Sequence, residues 1–339
     1  MKKTQVALAA LALVASTAVL ADGVTVYGNL EAAAVKGNDN AVNYSGAGQW
    51  GASVFGIKGS EDLGSGLKAS FNLESGIDTN RGDVNNGGPA GTAGLFNRAA
   101  WVSVAGGFGE IKLGNQLSPF ILSYVTTLGL AGNNFLVPVC ANANACDGGG
   151  TGNNTDGAYG ATGGFFLPNS FSYSFSAGGI NGQVLRAAPN TSTDGNGVTA
   201  GNVSFAIDAL SVTAAISDRD ATYKNMLIGG TYTMGGIKLA ANFIDHTDKS
   251  GANADSKTTT VGASYALSEA TTVGLNYSKT GISGAVDPTL TNLSLMHALS
   301  KRTSVYSFVN KGTNGSTISY QGGTASSTSA IGVGVAHAF

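Results

Sequence analysis

The sequence is poor in charge, proline, cysteine and histidine, and it has only one long apolar run, near its start. Asp, Glu, Lys and Arg make up 11% of the residues, against about 25% in ordinary soluble domains. The formal net charge is −2, and no basic patch of the kind that binds nucleic acid is visible. After the N-terminus, no run approaches the roughly 20 apolar residues that a membrane helix needs. These absences argue against a nucleic-acid-binding protein and a helical membrane protein.

Residues that carry catalysis or bind metals are also scarce. There are three histidines, and none stands with an acid and a nucleophile in a pattern that predicts a triad. The glycine-rich segment 147–154 lacks the Lys-Ser/Thr that follows a phosphate-binding loop. We therefore predict no enzyme, no cofactor and no metal site. A lipase that presents His297 and a serine to lipid is the one enzymatic alternative.

The N-terminus has the pattern of a secretory signal peptide. Lys2 and Lys3 precede the apolar run Val6–Leu20, and Val19-Leu20-Ala21 supplies small residues for cleavage. We predict a signal peptide over residues 1–21 and a mature chain over 22–339. The mature chain would then work outside the cytoplasm.

The two cysteines, Cys140 and Cys146, lie in the segment "CANANAC". In an oxidising compartment, two cysteines this close together predict a disulfide. Two thiols without a nearby histidine are too few for a structural zinc site.

Apolar and polar residues alternate along most of the mature chain. In "GLKASFNLESG", for example, Leu67, Ala69, Phe71 and Leu73 alternate with polar residues, which is typical of a β-strand. Helical stripes are absent, and glycine, with 51 residues, interrupts nearly every window that could form a helix. Sixteen strands are predicted, at 24–35, 48–60, 66–78, 96–106, 109–116, 167–177, 180–187, 200–208, 210–218, 222–234, 236–247, 257–267, 270–280, 290–299, 302–310 and 328–339.

The connections between these strands alternate between very short turns and mostly long polar loops. A soluble β-sandwich or β-helix has no reason to separate its loops in this way, whereas an outer-membrane barrel has short turns on one rim and long loops on the other. The predicted fold is therefore all-β, a 16-stranded antiparallel transmembrane barrel. Its apolar face would contact lipid and its polar face would line water. Aromatic girdles at the two membrane interfaces are expected from Phe55, Trp101, Tyr232, Tyr265, Tyr277, Tyr306 and Phe339.

At this point the chain resembles the trimeric general-diffusion porins of Gram-negative bacteria, in particular the type common in β-proteobacteria. The resemblance covers essentially the whole mature sequence, and its most specific segment is "GIKGSEDLGSGLKASFNLESG" at 56–76. Further matching segments are Val24–Gly28, "LFNRAAWVSVAGGFGEIKLGNQLSP" at 95–119, "NSFSYSFS" at 169–176, "LSKRTSVY" at 299–306 and the terminal "AHAF".

The resemblance implies an outer-membrane homotrimer with three separate pores. It also implies that the third long loop, about 117–166, folds into the lumen and narrows it. The terminal Phe339 resembles the signal that barrel-assembly machinery recognises. Arg98 matches one member of the family's arginine ladder, whereas Val54 and Asn115 stand where other members often carry arginine. This thinner ladder puts a strong anion preference in doubt.

Strand parity assigns a set of ionisable side chains to the lumen. The predicted pore-lining residues are Lys58, Lys68, Arg98, Lys112, Lys238, Glu31, Glu74 and Glu110, with Asp147 and Asp156 on the constriction loop. Because acids and bases nearly balance, we predict a weak preference for anions, set chiefly by Arg98.

The predicted function is a water-filled channel for passive diffusion of ions and small hydrophilic solutes. One alternative is a substrate-specific channel, for which the lumen-facing Tyr27 is the only hint. The other is a surface-exposed binding protein that uses the barrel as an anchor, although most of its outer loops are short for that purpose.

Overall fold

The fold is that of a computed structural model, which describes residues 23–38, 42–46, 51–84, 94–128, 166–189, 197–251, 254–284, 286–314 and 328–339. These residues form seventeen β-strands and one α-helix, α1, over Pro119–Thr126. Among them, no helix is long and apolar enough to span a bilayer. The predicted signal peptide, 1–21, lies outside the described residues. The strands are β1 Thr25–Gly37, β2 Val42–Ser45, β3 Val54–Gly64, β4 Leu67–Gly76, β5 Ala99–Gly106, β6 Gly109–Leu117, β7 Phe166–Ala177, β8 Ile180–Ala187, β9 Val198–Ile207, β10 Leu210–Arg219, β11 Tyr223–Met234, β12 Ile237–Asp248, β13 Ser256–Ala266, β14 Thr271–Ile282, β15 Thr289–Ala298, β16 Thr303–Thr313 and β17 Ser329–Ala338.

The strands close into a single antiparallel barrel. Each strand from β3 onward pairs with the next, and β17 pairs with β1 over nine positions, from Asn29 opposite Ala338 to Gly37 opposite Ala330. The last residue contributes to this closure, because Gly28 and Phe339 exchange backbone hydrogen bonds of 3.2 and 3.0 Å. Closure removes the unpaired edges that an open sheet would present.

Two of the strands, β2 and β3, occupy one position in the wall. β2 pairs with the second half of β1, where Lys36 lies opposite Val42, and β3 pairs with its first half. The seventeen strands therefore fill sixteen positions, as predicted. The predicted strand 48–60 begins too early, because residues 51–53 are not part of a strand and β3 starts at Val54; residues 47–50 lie outside the described residues.

A buried carboxylate on β1 explains where the chain leaves the wall. Glu31 points into the barrel, and its Oε2 accepts a 3.0 Å hydrogen bond from the backbone N–H of Gly51. The Glu31 N–H donates to the Ser53 hydroxyl at 3.0 Å. Gly51 is thus bonded to the side chain of Glu31 and Ser53 to its backbone, and residues 51–53 do not continue the ladder.

The two rims of the barrel differ as predicted. Strands are joined on one side by two to four residues, such as Ser65-Gly66, Gly178-Gly179 and Gly235-Gly236. Most of these tight turns use a positive φ, at Gly178 (58°) and Gly235 (58°) for example, which glycine adopts without steric cost. We call this side the short-turn rim and the opposite side the long-loop rim.

Alternation along each strand separates an apolar outer face from a different inner face. On β17, Ile331 and Val333 are 54% and 58% exposed on the outside, while Gly332 and Ala336 lie inside and are buried. The same pattern recurs around the barrel, with Val102, Val184 and Leu275 among the exposed residues. A continuous apolar surface of this extent needs a hydrocarbon environment, so the outer face is the one that contacts lipid.

Two aromatic residues that were expected in the girdles face inward instead. Trp101 lies on the same inner face of β5 as Ser103, because the outward-facing Val102 stands between them. Tyr306 is 3% exposed inside the barrel. Tyr306 lies over Gly334, where an added Cβ would come within 2.4 Å of its ring. The position of a residue in the alternation of its strand, rather than the size of its side chain, decides whether an aromatic ring points inward or outward. Tyr232, Tyr265, Tyr277 and Phe339 are exposed on the outer face.

Candidate pore

The barrel interior is divided into a charged wall and an opposite wall covered by α1. The charged wall is formed by β1 and β3 to β6 and carries most of the predicted pore-lining residues. On it, the Tyr27 hydroxyl oxygen lies 2.8 Å from Glu74 Oε2, to which it donates, and 2.9 Å from the side-chain amide of Asn72. The Lys58 ammonium lies 4.9 Å from the centre of the Tyr27 ring. Strands β1, β3 and β4 thus bring Lys58 and Glu74 to the same inner surface.

Arg98 forms an ion pair inside this wall. Its Nε lies 2.7 Å from Glu74 Oε1, and both side chains are less than one-fifth exposed. The guanidinium carbon lies 4.7 Å from the centre of the Phe166 ring. The backbone N–H of Arg98 also donates to the Glu74 carbonyl at 3.0 Å. Arg98 is therefore held in place, and Glu74 offsets its charge.

Lys112 is also paired. Its Nζ lies 3.4 Å from Glu110 Oε2 and 4.3 Å from the centre of the Trp101 ring. The inward orientation of Trp101 thus gives Lys112 a cation–π contact.

Three predicted lysines, Lys58, Lys68 and Lys238, form no salt bridge within the described residues. Lys68 shares the inner face of β4 with Ser70 and Asn72, because the three residues are spaced two apart. It lies near the short-turn rim. Lys238 lies on β12, on the inner side of the opposite wall, where it lines a cavity of about 300 Å³ next to α1. Within the described residues none of these three lysines is in salt-bridge contact with a carboxylate, although Asp62 lies directly opposite Lys68 on the inner face.

Glu31 differs from the other predicted pore-lining residues. It points inward, but it is only 2% exposed, because residues 51–53 and Tyr306 cover it. Its carboxylate is engaged by Gly51, so it does not face open water. Asp147, Asp156, Cys140 and Cys146 lie outside the described residues.

Helix α1 begins the long third loop and lies inside the barrel. Its Ser123 hydroxyl accepts a 3.0 Å hydrogen bond from Asn202 Nδ2, and Thr127 Oγ1 accepts one of 3.2 Å from Asn242 Nδ2. Asn276 Nδ2 donates to the Leu128 carbonyl just after the helix. The three asparagines alternate with outward-facing residues of β9, β12 and β14, so α1 is bonded to the inner face.

Apolar contacts hold the other side of α1. Phe120, Ile121 and Tyr124 are all at most 3% exposed and pack with inward-facing Leu227 and Ile244. Neither the hydrogen bonds nor these contacts involve a formal charge. The described part of the loop therefore occupies one side of the lumen, and the charged wall lies across from it.

Sequence reasoning missed α1 and its anchors. A signal was present: several inner positions of β9, β10 and β12 are neutral polar residues, as in Asn202, Thr213 and Asn242. Neutral amides and hydroxyls at inward parity suit hydrogen bonding to a backbone that enters the barrel.

Comparison with known proteins agrees with this architecture. The family described as Gram-negative porin matches residues 7–317. The chain is 31% identical to outer membrane porin protein 32 of Delftia acidovorans, with full coverage of both chains. It is 25% identical to the solved anion-selective porin of Comamonas acidovorans, with a TM-score of 0.71 and coverage of 94% of this chain and 99% of that one.

A second solved structure shares the fold at lower identity. The trimer form of OmpT of Vibrio cholerae is 16% identical and has a TM-score of 0.68, with coverage of 94% of this chain and 99% of that one. The structure is thus a sixteen-position barrel with an apolar outer face, a polar interior and a helix in its third loop. The family model matches most of the same sequence. The chain belongs to the Gram-negative porin family.

Proposed function

We propose that this outer-membrane porin passes ions and small hydrophilic solutes by passive diffusion, with a preference for anions set by Lys58, Lys68 and Lys238. The observation that carries the proposal is the pairing inside the barrel. Arg98 contacts Glu74 and Lys112 contacts Glu110, so these pairs are close to neutral toward a passing ion.

These three lysines outnumber Asp62, the inward-facing carboxylate opposite Lys68, and so leave a positive excess on the described inner wall. A water-filled lumen with low-dielectric walls focuses such a field and enriches counter-ions. Glu31 does not offset it fully, because that carboxylate is buried beneath residues 51–53. The Comamonas relative is described as an anion-selective porin, which supports the same preference.

The ion pair with Glu74 also leads us to propose a different role for Arg98 from the main part in anion preference that the sequence predicts. In its ion pair with Glu74, it contributes a fixed dipole and a rigid wall rather than a net charge. We propose that Arg98 positions Glu74 and Phe166, and that the lysines carry most of the selectivity.

The assembly and biogenesis of the chain are proposals by likeness. OmpT of Vibrio cholerae has been solved as a trimer, and we propose a homotrimer with one pore in each subunit. We further propose that residues 1–21 are removed on export, that assembly machinery recognises the strand ending in Phe339, and that the protein has no enzymatic activity.

A planar bilayer experiment tests the proposed selectivity. The variant Lys58→Gln/Lys68→Gln/Lys238→Gln is compared with the native porin by its reversal potential across a gradient of dilute KCl. We expect the native protein to prefer chloride and the triple variant to lose that preference, because three positive charges leave the lumen.

A matched triple variant controls for loss of lysine in general. Lys36, Lys224 and Lys311 alternate with inward-facing residues and lie on the outer face near the long-loop rim. Changing these three to glutamine should leave the chloride preference largely intact. Loss of preference in the control but not in the inner variant would refute the assignment, and absence of conductance in the native protein would refute the channel itself.

A further inference from the structure

The cavity beside α1 has an unusual lining for the wall of a diffusion pore. Its volume is about 300 Å³, and it is enclosed by α1 on one side and by β9 to β12 on the other. Seven serine or threonine residues, one asparagine and Lys238 line it. Among the described residues that line it, none has an apolar side chain or a carboxylate.

Several of these groups have no hydrogen-bond partner within the part of the chain that the structure describes. Ser123 and Thr127 are committed to α1 and its anchors. By contrast, the hydroxyls of Ser204, Ser211 and Thr231 form no hydrogen bond among the described residues, and Lys238 forms no salt bridge there. Ser211 and Thr231 lie directly opposite each other on β10 and β11. Free donors and acceptors therefore converge near one ammonium group.

This combination defines the class of ligand that the cavity could bind. An ammonium group without a carboxylate partner attracts a single negative charge and bonds strongly to a carboxylate. Hydroxyls both donate and accept hydrogen bonds, so they match a ligand that carries hydroxyls of its own. The volume is at the lower end of the range for small-molecule sites.

We propose that this cavity is a binding subsite for hydroxylated monocarboxylates, the class that includes the sugar acids. The carboxylate would pair with Lys238, and the ligand hydroxyls would bond to Ser204, Ser211 and Thr231. The inference rests on the proposed diffusion function and adds to it a preferred substrate class. Because the cavity adjoins α1 inside the lumen, an occupying ligand reduces the current carried by other ions.

Gluconate is the probe, and the readout is its concentration-dependent block of KCl current through the native porin in planar bilayers. Hexanoate has the same charge without hydroxyls, and glucose has hydroxyls without charge. We expect saturable block by gluconate and much weaker block by either comparison solute, since each satisfies only part of the lining.

Variants locate the site. Lys238→Gln should raise the half-blocking concentration of gluconate about tenfold, because it removes a charge-assisted hydrogen bond. Ser211→Ala/Thr231→Val should raise it about threefold for gluconate and leave hexanoate unaffected. Lys68→Gln, on the other wall, lowers chloride preference and should leave the half-blocking concentration within about twofold of the native value.

The outcomes separate the subsite from the channel. Equal block by gluconate and hexanoate, or an unchanged half-blocking concentration in Lys238→Gln, overturns the subsite while the KCl current persists. Failure of the channel proposal would instead appear as absence of current in the native protein. Stable single-channel openings in KCl, whatever their ion preference, show that each variant has folded and inserted.

Discussion

Neutralising Glu74 should make the porin more selective for anions. In Glu74→Gln, the shape of the side chain is kept: the amide oxygen can take the place of Oε1 beside Arg98, and the amide NH2, in the place of Oε2, can donate to the Tyr27 hydroxyl oxygen, which lies 2.8 Å from Oε2 in the native protein. The salt bridge to Arg98, 2.7 Å in the native protein, becomes a hydrogen bond to a neutral group. The pair changes from neutral to one positive charge.

The magnitude follows from Coulomb's law in a water-filled lumen. For an ion about 8 Å from the new charge, with a dielectric constant of about 80, the interaction is about 0.5 kcal/mol. The sign is opposite for anions and cations, so their barriers separate by about 1 kcal/mol, which is about fivefold in the permeability ratio. Arg98→Gln leaves Glu74 unpaired and should shift the ratio by a similar factor toward cations.

Reversal potentials measured at two salt concentrations test this reasoning. At about 0.01 M salt the screening length is about 30 Å and the full effect is expected; at about 1 M it is about 3 Å and the effect should nearly vanish. Glu61→Gln is the matched control, because Glu61 alternates with Ser60 and lies on the outer face of β3. An unchanged or lower anion preference in Glu74→Gln at low salt would refute the electrostatic account.

Three further predictions concern the loops. Asn242→Ala removes the amide that bonds to Thr127 at 3.2 Å, and we expect larger fluctuations in the single-channel current. Asn181→Ala leaves the anchors of α1 intact and should leave the current noise at the native level. The bidentate contact from Arg186 and the N–H of Gly197 lower the pKa of Asp220 from its ordinary value of 3.8. The stabilisation that these contacts give the loop is therefore present above pH 3.8 and is lost as the pH falls through the lowered pKa. Hydrogen exchange at the Gly197 amide, corrected for its intrinsic rate, should therefore speed up in acid. In Asp220→Asn the same amide should exchange fast already at neutral pH. Finally, thiol titration of denatured protein purified without reductant should find Cys140 and Cys146 unreactive, and two reactive thiols would contradict the predicted disulfide.

The barrel was predictable because its repeating signal is local. On β12 the predicted strand 236–247 differs from the observed Ile237–Asp248 by one residue at each end, since alternation and the flanking glycines are both visible in sequence. The charged wall was predictable for the same reason, because Lys58 and Glu74 follow the parity of their strands.

The interior contents depend on contacts between distant residues and were less predictable. Helix α1 is eight residues long, too short to be stable without tertiary contacts, and its anchors come from residues 79 to 148 positions away. The break before Val54 depends on Glu31, which lies 20 residues before Gly51. Trp101 was misplaced because a large aromatic side chain suits either an interface girdle or a partly filled barrel.

The neutral attachment of α1 separates the described part of the third loop from the ionised groups of the pore. The helix is fixed inside the lumen by amides, hydroxyls and apolar side chains, none of which titrates near neutral pH. The groups that distinguish ions stand mainly on the facing wall. We therefore expect acidity or ionic strength to alter which ions pass while α1 keeps its place in the lumen.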